Sequence, residues 1–60
     1  MNHDLRVTVW GRTQLELVKK ASAEADRFYG PGNWREEMPA DVYIGNTGYR
    51  GEYYFTDVPY

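Results

Sequence analysis

Two short signals fix one helix and leave little chain for a second. Thr13-Gln14-Leu15-Glu16 has the spacing of a capping box. The Thr13 hydroxyl can accept a free amide at the helix start, and the Glu16 carboxylate can reach back toward the Thr13 amide. The Glu16 charge also suits the positive end of the helix. Gly30-Pro31-Gly32 is the matching stop: Gly30 tolerates the left-handed position past the last turn, and Pro31 cannot continue a helix. The pattern predicts a helix from Gln14 to Tyr29. At ~100° per residue, Leu15, Val18, Ala21, Ser22, Ala25, Phe28 and Tyr29 gather on one side, with Leu17 at its edge. Glu16, Lys19, Lys20, Ala23, Glu24 and Arg27 occupy the other side. The small residues would let this helix approach a sheet closely.

The flanking segments read as strands. Leu5, Val7 and Val9 alternate with Arg6, Thr8 and Trp10, the period of two that a half-buried strand requires. Asp41-Val42-Tyr43-Ile44 predicts a second strand and Glu52 to Val58 a third. Gly45-Asn46-Thr47-Gly48 is a turn signal between them. The turn can centre on Asn46-Thr47-Gly48 or extend through Tyr49-Arg50-Gly51. The residues from Gly30 to about Ala40 are expected to be a connection, with Trp34 folded back over the core or projecting as an anchor. A right-handed crossover would set the first two strands parallel. The expected fold is therefore α+β in one small domain, 1–60. Its order is β-α-β-β, with a three-stranded mixed sheet and one amphipathic helix on one face.

Size sharpens the problem. A chain of 60 residues buries only about 60% of the surface it exposes when unfolded. It has no cysteine, which removes disulfides and thiolate metal sites. Its one histidine is His3, so neither a metal nor a cofactor is expected. No apolar run approaches the ~20 residues that span a bilayer, and the first residues lack the pattern of a secretion signal. Absence of cysteine fits a reducing cytoplasm.

One helix can cover one face of a sheet. Val7, Val9, Val42 or Tyr43, and alternate members of Tyr53-Tyr54-Phe55 suffice for that layer. Trp10 and about half of the aromatics in the last strand are left on the other face. A contiguous aromatic patch of that kind usually marks a binding surface, and tyrosine and tryptophan are typical anchors. Trp10, Trp34, Tyr43, Tyr49 and Tyr54 are the candidates for partner contact. Solvated tyrosines on an open sheet, self-association and a different protein partner all remain open. The function expected is a non-enzymatic protein-interaction module, with another copy of itself among the expected partners.

Other chemistries have less to stand on. Aromatics on a sheet can stack single-stranded nucleic acid, and Arg50-Gly51-Glu52-Tyr53-Tyr54-Phe55 has some of the basic-Gly-aromatic character of RNA-recognition strands. Glu52 stands where an aromatic belongs, and a net charge of −2 lacks the usual electrostatic footprint. Nucleic acid is the alternative partner. Asp41, Glu52 and Asp57 could form a carboxylate pair, but one helix and three strands leave little room for a pocket; no catalytic residue is assigned. Gly11-Arg12-Thr13 enters a helix N-terminus, yet Glu16 would repel a phosphate there.

Leu5 to Thr13, together with the helix ending Ala25-Asp26-Arg27-Phe28-Tyr29-Gly30, resembles small proteins encoded by phages of actinobacteria. The resemblance covers about half of the chain. It implies a setting in the bacterial host cytoplasm or the virion, with a host or virion protein as partner. It implies no catalytic or binding residue.

Overall fold

The computed structural model describes residues 4–58; His3, weighed above from sequence, lies outside them. Strand β1 runs Leu5–Gly11, helix α1 Gln14–Tyr29, strand β2 Trp34–Gly45 and strand β3 Gly48–Asp57. The α+β class and the β-α-β-β order are those expected. The neighbours in the sheet are not: the order is β1-β3-β2, and both pairings are antiparallel. β1 and β2 do run in the same direction, but β3 lies between them, so the expected mixed sheet is antiparallel throughout. The burial pattern explains the choice. β3 buries Gly51, Tyr53, Phe55 and Thr56 and takes the centre, whereas β2 carries Glu36, Glu37 and Pro39 and takes an edge. Proline and charge are the usual features of edge strands.

The helix begins and ends where its signals place it. Thr13 accepts the Glu16 amide at 3.1 Å. The return contact differs by one residue: the Glu16 carboxylate accepts from the Arg12 amide at 3.0 Å, not from that of Thr13. Gly30 closes the helix at φ 97°, with its amide donating to the Asp26 carbonyl at 2.8 Å.

The buried stripe of α1 is Leu17, Ala21 and Ala25, each four residues from the next and so on one face. It meets Val7 and Val9 of β1 and Tyr53 and Phe55 of β3 in a single core. Leu17 lies directly above Gly51: a Cβ there would meet Leu17 Cδ1 at 3.2 Å and the Tyr53 ring at 2.7 Å. This face differs from the expected one. Leu17, placed at the edge from sequence, is fully buried, while Leu15, Val18 and Phe28 are exposed. The stripe of small residues sits over β1 and β3, so the flank carrying Leu15 and Val18 points past β3.

The expected connection from Gly30 to Ala40 is a strand for most of its length. β2 starts at Trp34, and its pairing with β3 shifts twice, between Glu36 and Met38 and between Met38 and Asp41. Each shift inserts an extra residue in β2, a β-bulge, and Pro39 falls within the second. Trp34 packs edge-on against Phe55 at 4.9 Å between ring centroids, and its indole N–H donates to Asp26 Oδ1 at 2.7 Å. The hairpin uses the shorter of the two turns: Gly45 pairs with Gly48, leaving Asn46-Thr47 as the loop. Gly48 has φ 148°, and a Cβ there would lie 2.6 Å from the Gly11 carbonyl oxygen.

Truncating the buried and the exposed leucine should separate the two helix faces. Leu17→Ala should cost about 2–5 kcal/mol as a core deletion. Leu15→Ala, at a residue 63% exposed, should stay within about 0.5 kcal/mol. Urea unfolding of the two variants measures the difference, and equal losses would contradict this packing.

Candidate functional site

Strand register turns the face opposite α1 into a lattice of rows. Trp10 of β1 is paired with Arg50 of β3, and Arg50 with Tyr43 of β2. The next row is Thr8, Glu52 and Asp41; the one after is Arg6, Tyr54 and Met38. The sheet therefore brings three of the five sequence candidates, Trp10, Tyr43 and Tyr54, onto one face. The other two lie on the helix side, where Trp34 and Tyr49 are partly buried against the core.

The first row is an aromatic–cation–aromatic band. The Arg50 guanidinium sits 4.4 Å from the centroid of the Tyr43 ring, within cation–π range, and 3.9 Å from the Glu52 carboxylate. Trp10 is 61% exposed, and its carbonyl accepts from the Lys20 ammonium. Round the end of the sheet, a groove of about 460 Å³ is lined by Trp10, Tyr43 and Tyr49 with Arg12, Lys20 and Arg50. Glu16 also lines it, and this carboxylate is already engaged by the Arg12 amide and by Lys20 at 3.7 Å.

The second row sets two carboxylates side by side. Asp41 and Glu52 are direct cross-strand partners, an arrangement that repels when unrelieved. Tyr54 relieves it: its hydroxyl lies 3.3 Å from Asp41 Oδ2 and 3.4 Å from Glu52 Oε1. One hydroxyl proton can serve one carboxylate at a time. Partial desolvation, followed by the charges of Asp41 and Glu52 and their hydrogen bonds, holds the Tyr54 phenol above its ordinary 10.0. Asp57, the third acid considered from sequence, lies at the far end of the sheet opposite Trp34. Among the described residues no cluster of three His, Cys, Asp or Glu could hold a metal ion, and no helix is long and apolar enough to cross a membrane.

A second surface escaped the sequence reading. The Trp34–Asp26 hydrogen bond marks the flank of α1 that faces β2. Stepping back from Asp26 by four, four and three residues along that flank gives Ser22, Val18 and Leu15. On the sheet, Val42 and Ile44 pair with the helix-side residues Gly51 and Tyr49. Leu15, Val18, Val42 and Ile44 are all exposed, Ile44 by 77%. The sequence signal was present in their apolar character, but amphipathic periodicity assigned Leu15 and Val18 to the core.

Comparison with family models, curated proteins and solved structures finds no match.

Replacing Asp41 by Asn should move the Tyr54 phenol down toward 10.0, because one of the charges opposing its ionisation is removed. Phenolate absorbance, referenced to Tyr54→Phe, reads the shift. The sign for stability follows. A folded-state value above the unfolded one contributes stability below pH ~10 that is lost as pH rises through the folded value. An unchanged Tyr54 titration in Asp41→Asn would refute the assigned cause.

Proposed function

We propose that this chain is a non-enzymatic protein-interaction module that binds through β2 and the apolar flank of α1 beside it. One observation carries the reading. Within Trp34–Gly45 only Trp34 and Ala40 are even half-buried, and Met38, Val42, Tyr43 and Ile44 are exposed large side chains on one strand. Large apolar groups on both faces of an edge strand cost solvation free energy that a partner recovers. The resemblance of the first half of the chain to phage-encoded proteins fits a role in contact with a host or virion protein, or with another copy of the chain.

The Trp10–Arg50–Tyr43 band favours a second reading, single-stranded nucleic acid stacked on the open face. Against it stands the adjoining row with Asp41 and Glu52, which would repel a phosphate chain.

The double substitution Val42→Lys with Ile44→Lys tests the first reading. Both residues are exposed, so circular dichroism and Tm should change little. Immobilised wild-type chain should retain protein, its own kind or another, that the double variant releases, while Trp10→Ala keeps it. Equal retention by wild type and the double variant would overturn the proposal. Quenching of tryptophan fluorescence by single-stranded oligonucleotides at low salt, lost in Tyr43→Ala, would favour nucleic acid instead.

A further inference from the structure

The two halves of β2 differ in how their free edge is protected. The half from Trp34 to Pro39 has the devices that keep sheet edges apart: Arg35, Glu36 and Glu37, a proline, and the start of both register shifts. The half from Asp41 to Gly45 has none of these except Asp41. Its pairing with β3 runs without a shift from Asp41↔Glu52 to Gly45↔Gly48. It is regular, exposed and, beyond Asp41, uncharged. The other edge of the sheet, β1, is bordered by α1, whose Glu24, Arg27 and Phe28 line a groove with residues Leu5 to Val9. Glu24 and Arg27 form an ion pair there at 3.0 Å.

We infer that the unprotected half of β2 pairs antiparallel with the same segment of a second copy, about a two-fold axis at Tyr43, to give a continuous six-stranded sheet. This inference rests on the interaction reading above and names its occupant. The segment is compatible with its own copy, and its charges restrict the register. An axis at Tyr43 sets Val42 of each copy opposite Ile44 of the other and Asp41 opposite Gly45, so no carboxylate meets another. An axis at Asp41 or Glu37 would set an acid against itself, and like charges directly opposite destabilise a sheet. An axis at Val42 would draw Pro39, which has no N–H, into the ladder. A two-fold perpendicular to the sheet keeps each face on its own side. Leu15, Val18, Val42 and Ile44 of both copies then meet on the helix side. On the open side the Trp10–Arg50–Tyr43 bands join end to end through the two Tyr43 rings.

The natural chain has no cysteine, so a single introduced thiol reports the register. Directly opposed residues in an antiparallel pair have Cα atoms about 4.5–5.5 Å apart, inside the range a disulfide needs. Tyr43→Cys should oxidise to a covalent dimer, and Met38→Cys, exposed on the same face and strand, should not. Sedimentation equilibrium of wild type from about 1 µM to about 1 mM, a range covering moderate and weak dimers, should show the mass doubling. Ile44→Lys should stay monomeric and folded. A wild-type chain monomeric throughout overturns the second-copy inference, as does cross-linking equal at both positions. If that monomer still retains other proteins, and loses them in Val42→Lys/Ile44→Lys, the interaction reading survives the failure. If it retains none, both fall.

Discussion

The packing of β3 beneath α1 is the contact on which the rest of the molecule depends. Gly51, Tyr53 and Phe55 present one face to Leu17, Ala21 and Ala25, and the rings of Tyr53 and Phe55 lie nearly parallel at 6.0 Å. The Tyr29 hydroxyl donates to the Phe55 carbonyl at 3.2 Å, fixing the last turn of the helix to the same strand. β3 also carries both ladders, since β1 and β2 pair with it and not with each other. Close approach is possible because the helix offers alanines and the strand offers a glycine where Leu17 descends. A short chain thereby gains a dense core, but a narrow one.

Narrowness explains what is left outside. The helix sits over β1 and β3, so β2 receives cover only near Trp34 and Ala40. The open face then carries bulky rings that a single layer cannot shelter, and the helix side carries aliphatic groups that reach beyond it. The polar interactions on these surfaces are mostly between exposed groups, such as Arg27 with Glu24 and Lys20 with Glu16. Pairs of that kind contribute little to stability. Stability belongs to the core beneath α1, and the proposed recognition surface is what the helix misses.

Features written in adjacent residues were legible from sequence. The helix limits follow from Thr13, Glu16 and Gly30 acting within one turn, and β1 follows from strict alternation ending at Gly11. The first half of β2 was not legible, because two bulges and Pro39 break the period by which strands are recognised. Strand order depends on which strand best tolerates burial on a sheet interior, a comparison between distant segments that no local pattern makes. Leu15 and Val18 were assigned to the core for a related reason: periodicity shows that a helix has an apolar side, not where the sheet beneath it stops. Of the five aromatic candidates, Trp10, Tyr43 and Tyr54 share a face because register sets Trp10 and Tyr43 on either side of Arg50. That fact became visible only once the strands were paired.

The position of β3 also sets an order of events during synthesis. Of these elements the central strand is translated last, so β1 and α1 leave the ribosome with no sheet to join. The hairpin can close locally as soon as Gly48 follows Gly45, but β1 gains its first partners only with Tyr49 and Arg50, opposite Gly11 and Trp10, and its last with Phe55, opposite Leu5. Until then the apolar face of α1 has only β1 to cover it. Cooperative folding thus begins late, when the chain segment that holds both edges together finally emerges.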